Sequence, residues 1–430
     1  MIASPAFAGR KYAVYGLARS GLATVEALLA SGAEVMAWDQ NEAACEKIRQ
    51  LGNVRLADPL VTAIEGLDGL VVSPGVPLNR HPIATRAAEA GVPLIGDIEL
   101  FAQARATLPP HQVVGITGTN GKSTTTALIH HIVRSAGRPA TMAGNIGYPI
   151  LGQEPLPEGG VYVLELSSYQ IDLTHSLDCD IAVLLNVSPD HLDRYESFEA
   201  YRASKLRLFE MQSPDHVGVI GGGDPELNAI CLDMTGGPGQ WTWSDRVSDD
   251  LDQSRWPALQ GPHNAQNIIA ALAVSAELGI RYEVQMAALE TYPGLPHRME
   301  RVAEKNGVLF VNDSKATNPT SAAPALAAYP AVHWILGGLP KSDDLEACEP
   351  FLDHVRAAYT IGEAGPMFAR LLRSKVPVSE CEMLFEAVNE AAGAARPGEV
   401  VLLSPACASF DQFRDYEARG EAFRAAVEAL

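Results

Sequence analysis

Short apolar runs alternate with helical patterns over the first hundred residues of the chain. Runs of strand length occur in KYAVYG, AEVMAWD, GLVVSPG and VPLIGD, and segments with helical spacing separate them at about residues 20–30, 43–50 and 82–90. Alternation of strands and helices favours a parallel sheet covered by helices on both faces. The pattern therefore predicts a Rossmann-like domain over residues 1–100.

Two further series of the same kind follow. The second begins at Val113, includes VYVLEL and IAVLLNV, and ends in an alanine-rich helix from Asn264 to Leu278. The third follows LPHRME, where Asn306-Gly307 predicts a hairpin turn, and continues through AVHWILGG, AAYTIG and VVLLSPA to a C-terminal helix. We therefore expect an α/β protein with a central P-loop ATPase-like parallel-sheet domain (101–294) and a C-terminal Rossmann-like domain (295–430).

A glycine-rich stretch, GITGTNGKSTTT, lies between the first strand and the first helix of the second series. Backbone N–H groups of such a loop, together with a helix N-terminus, bind phosphate. The usual spacing would place a glycine where the chain has Ile116, so the stretch predicts a variant phosphate loop, with a tight turn carrying an accidental Lys-Ser as the alternative. The residues expected to contact a nucleotide are Gly118, Thr119, Asn120, Gly121, Lys122, Ser123 and Thr124.

Polar residues follow the other strands of this series. Glu165 ends VYVLEL, and a carboxylate buried there without a partner would cost several kcal/mol. Mg²⁺ bridging phosphate oxygens, with the Ser123 hydroxyl as a further ligand, would satisfy it, whereas an exposed acid or a local ion pair is the alternative. His191, in SPDHLD, is expected to be functional beside such a site. The residues around Lys205 in the sequence favour a position on a solvated, basic helix face.

The first turn of the chain, from Gly16 to Gly21, is similar to a dinucleotide-binding fingerprint. Ala18 replaces its second glycine, and Asp39 closes the second strand where a ribose-binding acid would lie. These residues are compatible with three interpretations: a nicotinamide site, a site for another nucleotide or phosphate, and a purely structural turn.

Composition narrows the class of protein. The net charge of −20 argues against nucleic acid as a partner, and no apolar run approaches the length of a membrane span. The opening residues lack the apolar region of a signal peptide, and the six scattered cysteines favour reduced thiols. We expect a cytoplasmic enzyme that acts on small molecules, does not bind membranes and is a monomer.

Nine motifs spread over all three series resemble the Mur ligase family. They occur in the order GTNGKST, ELSSYQ, NVSPDHLDRY, YRASK, GPHNAQN, LPHRME, NDSKATNP, GGLPK and LLSPACASFDQF, and their combination is most similar to the D-glutamate-adding branch. The resemblance implies ATP-dependent ligation of D-glutamate to UDP-N-acetylmuramoyl-L-alanine through an acyl phosphate, in peptidoglycan precursor synthesis. A sister Mur ligase or a folylpolyglutamate-synthase-like enzyme with another acceptor is the near alternative. An NAD-linked oxidoreductase and a nucleotide-dependent regulatory module are the distant ones.

The resemblance also implies roles for particular residues. ATP and two Mg²⁺ ions are expected, with Lys122, Glu165, His191 and a carbamylated Lys205 as the catalytic set, and with Ser123 joining the last three as metal ligands. The nucleotide would also meet Asn267, Arg298, Asp313 and Lys315. The substrates would meet Ser20, Ser73, Asn145, Thr317, Lys341, Ser409 and Tyr416, the last four at D-glutamate.

Overall fold

The computed structural model describes residues 1–191, 193–221, 227, 240–244 and 252–430. Backbone contacts divide the chain into two compact units. Unit 1 comprises Met1–Arg246 and Ile269–Ala288, and unit 2 comprises Val247–Ile268 and Leu289–Leu430. Within the described residues, no helix is both long enough and apolar enough to cross a membrane.

The first sheet of unit 1 has the strand order β3-β2-β1-β4-β5, with neighbouring strands parallel. Its elements are β1 Lys11–Tyr15, α1 Arg19–Ala30, β2 Glu34–Trp38, α2 Glu42–Arg49, β3 Val54–Leu56, β4 Gly69–Val72, α3 Ile83–Ala90, β5 Leu94–Ile95 and α4 Asp97–Ala104. This is the strand order of a Rossmann sheet, which confirms the predicted fold of this region. The order reverses between β1 and β4, so ligands are expected beyond the carboxyl ends of those two strands.

The second sheet of unit 1 has the order β11-β10-β9-β6-β8-β7, and its paired strands are also parallel. Its elements are β6 His111–Thr117, α5 Lys122–Ser135, β7 Ala140–Gly144, β8 Gly160–Glu165, α6 Ser168–Asp172, β9 Ile181–Leu184, α7 Phe198–Glu210, β10 Val217–Gly221 and β11 Gln240–Ser244. Every residue of β8 and β9 is buried. These strands therefore read as continuous apolar runs, as expected when helices cover both faces of a parallel sheet.

The two sheets of unit 1 share apolar packing. Phe101 of α4 lies against Tyr162 of β8, with ring centroids 5.0 Å apart, and both side chains are fully buried. The same core cluster includes Tyr12 of β1 and Val113 of β6. Burial of aromatic rings at this junction stabilises the placement of the first sheet beside the second.

Unit 2 contains the third sheet, ordered β12-β13-β17-β14-β15-β16. Its strands follow the helices α8 Pro262–Glu277 and α9 Tyr282–Thr291, and the later elements are β12 Glu300–Lys305, β13 Val308–Asn312, α10 Pro319–Ala327, β14 Val332–Gly337, β15 Val355–Ile361, α11 Gly365–Leu372, β16 Val378–Glu382, α12 Leu384–Ala394, β17 Val400–Leu403 and α13 Tyr416–Glu428. The predicted hairpin is confirmed, since β12 and β13 are antiparallel and Asn306 and Gly307 both have positive φ, 53° and 75°. The remaining pairs are parallel.

Candidate active site

The predicted phosphate loop lies between β6 and α5, which begins at Lys122. Gly118 has φ of 149° and Gly121 has φ of 84°, values that residues with a Cβ rarely adopt. A Cβ at Gly118 would lie 3.1 Å from Leu185 Cβ and 3.3 Å from the Asn186 nitrogen. Glycine at this position lets the loop pack against the end of β9 while the N-terminus of α5 stays open to an anion.

Asn186 holds this loop in place. Its Oδ1 accepts from the Asn120 backbone N–H at 2.8 Å, its Nδ2 donates to the Asn120 carbonyl at 3.1 Å, and its own carbonyl accepts from the Thr119 N–H at 2.9 Å. The Thr119 Oγ1 in turn accepts from the Ser188 N–H at 3.0 Å. Asn186 was not among the predicted site residues, although its place directly after the apolar run of β9 was a usable signal.

Two lysine amines converge on the same loop. Lys122 Nζ donates to the carbonyls of Gly118 and Thr119, both at 2.8 Å, and Lys205 Nζ donates to the Gly118 carbonyl at 2.9 Å. The sequence alone favoured a solvated position for Lys205, but its side chain is 1 % exposed, so that interpretation was wrong. The structure thus brings Lys205 of α7 to the phosphate loop.

The environment of Lys205 disfavours its charged form. Burial, followed by the nearby charge of Lys122, holds the pKa of Lys205 well below its ordinary value, and the carboxylates of Asp190 and Asp172 oppose this shift only in part. The amine also lies over the ring of Tyr201, 4.4 Å from the centroid. Such an environment favours the neutral amine over the ammonium.

Glu165 ends β8 one strand away from the loop and pairs in register with Ile116 of β6. Its side chain is 2 % exposed; Oε1 accepts from Asn145 Nδ2 at 2.9 Å, whereas Oε2 has no hydrogen-bond partner among the described residues. A buried carboxylate oxygen without a partner is costly. The arrangement therefore fits a cation ligand better than a structural acid.

Glu165 and Ser123 offer oxygen donors of the kind that Mg²⁺ takes when it is bound together with phosphate. Ser123, in the first turn of α5, is buried and supplies a hydroxyl. Within the described ranges, no three His, Cys, Asp or Glu side chains converge to form a metal cage. Mg²⁺ commonly takes one or two protein oxygens and completes its shell with water and substrate phosphates, so these residues fit that ion.

His191 lies on the segment after β9 and has φ of 55°. Its N–H donates to Asp190 Oδ1 at 2.8 Å, and its ring centroid lies 5.1 Å from that of Tyr169 and 6.1 Å from that of Tyr201. The Tyr201 hydroxyl is 3.2 Å from Thr119 Oγ1. Because Tyr201 also contacts Lys205, this ring connects the His191 segment, the phosphate loop and α7.

In the first sheet, the loops after β1 and β4 lie together at the point where the strand order reverses. Gly16 follows β1 with φ of 94°, and the Ser73 hydroxyl after β4 donates to the Gly16 carbonyl at 3.0 Å. Asp39 Oδ2 accepts from the Leu17 N–H at 2.5 Å, so this carboxylate fixes the first turn. Ser20 and Ser73 line one pocket together with Asp97.

In unit 2, Asp313 lies after β13 and is 7 % exposed. Its Oδ2 accepts from the Ser404 hydroxyl at 2.8 Å and its Oδ1 from the Met299 N–H at 3.2 Å. Burial raises the pKa of Asp313 to about 7, although these hydrogen bonds and the charge of Arg298 oppose the shift. In the same unit, Asn267 Nδ2 donates to Asn264 Oδ1 at 3.0 Å.

Four other predicted residues of unit 2 form two pairs. Lys315 Nζ lies 3.8 Å from the centroid of the Tyr416 ring, and Lys341 Nζ donates to Thr317 Oγ1 at 3.4 Å. Ser409 is buried in the segment that follows β17.

Arg419, which was not predicted, joins two motifs of unit 2. It is 1 % exposed, and its guanidinium donates to the Ser314 and Cys407 carbonyls at 2.9 and 3.0 Å. It therefore ties NDSKATNP to LLSPACASFDQF. A single arginine on an amphipathic helix carries no sequence signal for such a position.

Family models match three successive parts of the chain. The Mur ligase MurD-like N-terminal domain matches residues 10–96, the Mur ligase middle domain 116–238 and the Mur ligase glutamate ligase domain 297–407. The chain belongs to the Mur ligase family. The resemblance inferred from its motifs is thereby confirmed.

Curated Mur ligases resemble this chain over its full length. The UDP-N-acetylmuramoylalanine–D-glutamate ligase of Novosphingobium aromaticivorans is 63% identical, with 100% of this chain and 97% of that protein covered. The enzyme of the same name from Zymomonas mobilis is 58% identical, with both chains covered completely.

Solved Mur ligases share the fold. The MurF ligase from Thermotoga maritima, determined in complex with ADP, has a TM-score of 0.61 at 16% identity and covers 99% of this chain and 97% of its own. The UDP-N-acetylmuramate-alanine ligase from the same organism has a TM-score of 0.59 at 16% identity and covers 98% of this Mur ligase and 99% of its own chain. At these identities the likeness supports the three-domain α/β fold.

Proposed function

We propose that this Mur ligase joins D-glutamate to UDP-N-acetylmuramoyl-L-alanine at the expense of ATP, as a step of peptidoglycan precursor synthesis. The observation that carries the proposal is the grouping, at one edge of the second sheet, of a phosphate loop, two lysine amines on its carbonyls and a buried carboxylate with an unpaired oxygen. The identity of 63% to a D-glutamate ligase supports the choice of acceptor.

The chemistry explains why a phosphate loop serves amide formation. A carboxylate resists attack by an amine because its oxygen is a poor leaving group. Transfer of the ATP γ-phosphoryl group to the substrate carboxylate gives an acyl phosphate and ADP. The uncharged amine of D-glutamate then attacks the acyl carbon, the C–O bond to phosphate breaks, and the amine gives up a proton as the amide forms.

Residues of the second sheet would bind the phosphates. Lys122, whose amine already lies at the loop carbonyls, would donate to the β- and γ-phosphates, and the N–H groups from Gly118 to Thr124 would bind their oxygens. Ser123, Glu165, His191 and Lys205 would hold two Mg²⁺ ions, which when bound neutralise charge on the transferring phosphoryl group. Asn145, already on Glu165, would meet the muramoyl substrate.

Lys205 suits its role only after modification, since an ammonium beside Lys122 would repel a divalent cation. Its lowered pKa favours the neutral amine, which is the nucleophilic form. That amine can add to CO₂: a nitrogen–carbon bond forms, one C=O bond becomes a carboxylate, and a proton leaves to solvent. We therefore propose that Lys205 is carbamylated, which replaces a cation by an anionic oxygen ligand.

The remaining predicted residues would bind the other ligands. Within residues 1–100, Ser20 and Ser73 would meet the UDP group, and residues 101–294 would form the ATP domain. Within 295–430, Arg298, Asp313 and Lys315 would contact the nucleotide, as would Asn267, while Thr317, Lys341, Ser409 and Tyr416 would bind D-glutamate. We further propose a monomer that works in the cytoplasm, where ATP is available.

A phosphate-release assay tests the function directly. The purified protein is supplied with ATP, Mg²⁺ and UDP-N-acetylmuramoyl-L-alanine, and with D-glutamate, L-glutamate, L-alanine or a dibasic amino acid in parallel. We expect release with D-glutamate. Release only with another acceptor would favour a sister ligase, and no release with any acceptor would contradict the proposed reaction.

A further inference from the structure

Arg194, in the segment that carries His191, reaches the loop after β4 of the first sheet. Its Nη2 donates to the Val76 carbonyl at 2.9 Å and lies 3.4 Å from the Pro74 carbonyl, and its Nη1 lies 3.5 Å from the Gly75 carbonyl. We propose that Arg194 is a positioning residue that couples binding of the UDP substrate in the first domain to the placement of His191 at the ATP site. This inference rests on the proposed function, because it assigns the UDP group to the first sheet.

On the side of the first sheet, the loop is connected directly to the switch-point turn. Ser73 donates its hydroxyl to the Gly16 carbonyl, and the Val76 N–H donates to the Ser73 carbonyl at 3.0 Å. A Cβ at Gly16 would lie 2.7 Å from Ser73 Oγ, so the two loops are in close contact. A ligand bound beyond the ends of β1 and β4 therefore acts on the carbonyls that Arg194 holds.

On the side of the second sheet, the Arg194 guanidinium lies over the Tyr169 ring, with Cζ 4.2 Å from the ring centroid. The same ring meets the ring of His191 with centroids 5.1 Å apart. Tyr169 belongs to α6, which starts three residues after Glu165. The edge of the guanidinium thus contacts the loop after β4, and its face contacts Tyr169, whose ring packs against His191.

The chemistry of this position requires arginine. A guanidinium is planar, directs several N–H groups in fixed directions and stacks on aromatic rings, whereas a lysine ammonium does not reproduce this combination. Two neighbouring contacts also join these segments. Asn79 Nδ2 donates to the Asp193 carbonyl at 3.0 Å, and Arg80 pairs with the Asp193 carboxylate at 3.7 Å with both side chains about two-thirds exposed. Exposed ion pairs contribute little, so Arg80→Ala is a matched control that also removes a positive charge from this surface.

The test measures binding and local protection without ATP. Affinity for UDP-N-acetylmuramoyl-L-alanine is determined by calorimetry for the full chain, for Arg194→Ala, for Arg194→Lys and for Arg80→Ala. Amide hydrogen exchange of residues 188–195 is then followed with and without saturating UDP substrate. We expect Arg194→Ala to weaken binding on the order of tenfold and to abolish the protection of residues 188–195 that the substrate produces in the unaltered chain.

Each outcome decides the inference. Arg194→Lys should lose the same protection while melting within a few degrees of the unaltered chain, so the test stands even if Arg194→Ala folds poorly. Unchanged affinity, retained protection, or an equal loss in Arg80→Ala would overturn the coupling role alone. Failure of the unaltered chain to bind the UDP substrate would overturn both this inference and the proposed function.

Discussion

Replacement of Lys205 tests the chemistry of the candidate site most directly. Lys205→Met keeps a buried, unbranched apolar side chain of similar length and removes the hydrogen bond to the Gly118 carbonyl, which still accepts from Lys122. The loss in the free energy of unfolding should therefore be about 1 kcal/mol. Lys205→Ala also removes three buried methylenes, at about 0.8 kcal/mol each, for a total near 3 kcal/mol.

Both variants should lose most of their activity, and in Lys205→Met this loss should clearly exceed the loss in the free energy of unfolding. Loss of an anionic metal ligand is expected to cost about 10²- to 10³-fold in kcat, which corresponds to roughly 3–4 kcal/mol of transition-state stabilisation. ADP release with both substrates at saturation measures kcat, and denaturant unfolding of the same samples measures stability. Both variants should stay folded and lose activity to a similar degree.

The two variants differ in the space they leave, and that difference provides the control. Lys205→Ala opens room for a small carboxylate, so added acetate or formate should restore part of its activity, whereas chloride at equal ionic strength should not. Lys205→Met fills the space and should not recover. Full activity of either variant without additives, or equal recovery with chloride, would refute the carbamate.

Three other predictions concern the loop, the buried acid and unit 2. Glu165→Gln removes a buried charge and keeps an acceptor for Asn145. The free energy of unfolding without ligands should therefore stay equal or rise by about 1 kcal/mol, while the rate of ADP release falls about 100-fold. A clear loss of stability would contradict this prediction. Gly118→Ala introduces a Cβ at φ of 149°. It should lower the free energy of unfolding, measured with denaturant, by about 1–3 kcal/mol and weaken nucleotide binding. Unchanged denaturant and nucleotide titrations would contradict this prediction. The pKa of Asp313 rises on folding from 3.8 to about 7, so between these pH values the folded protein retains a proton that the unfolded chain has lost. The free energy of unfolding of the unaltered chain, relative to that of Asp313→Asn, should therefore fall between about pH 4 and pH 7. A difference in stability that does not depend on pH would refute the raised pKa of this buried acid.

Local pattern was enough to predict the strands that precede the phosphate loop, Glu165 and His191, and the hairpin turn of the third sheet. Buried parallel strands such as β8 and β9 are continuous apolar runs, and the turn at Asn306-Gly307 needs residues that tolerate positive φ, so both leave a direct trace in the sequence. The short strand β3 was missed because three residues give too little periodicity to distinguish a strand from a loop.

The amino-acid order by itself determined the family, the α/β fold and the phosphate loop, since each depends on residues close together in the chain. Only the tertiary structure decided that Lys205 is buried on the Gly118 carbonyl, that Asn186 holds the loop, and that Arg194 reaches the carbonyls after β4. A helical lysine has the same neighbours in sequence whether it faces water or the core. Its burial, and therefore its pKa and its chemistry, depends on segments that only folding brings beside it.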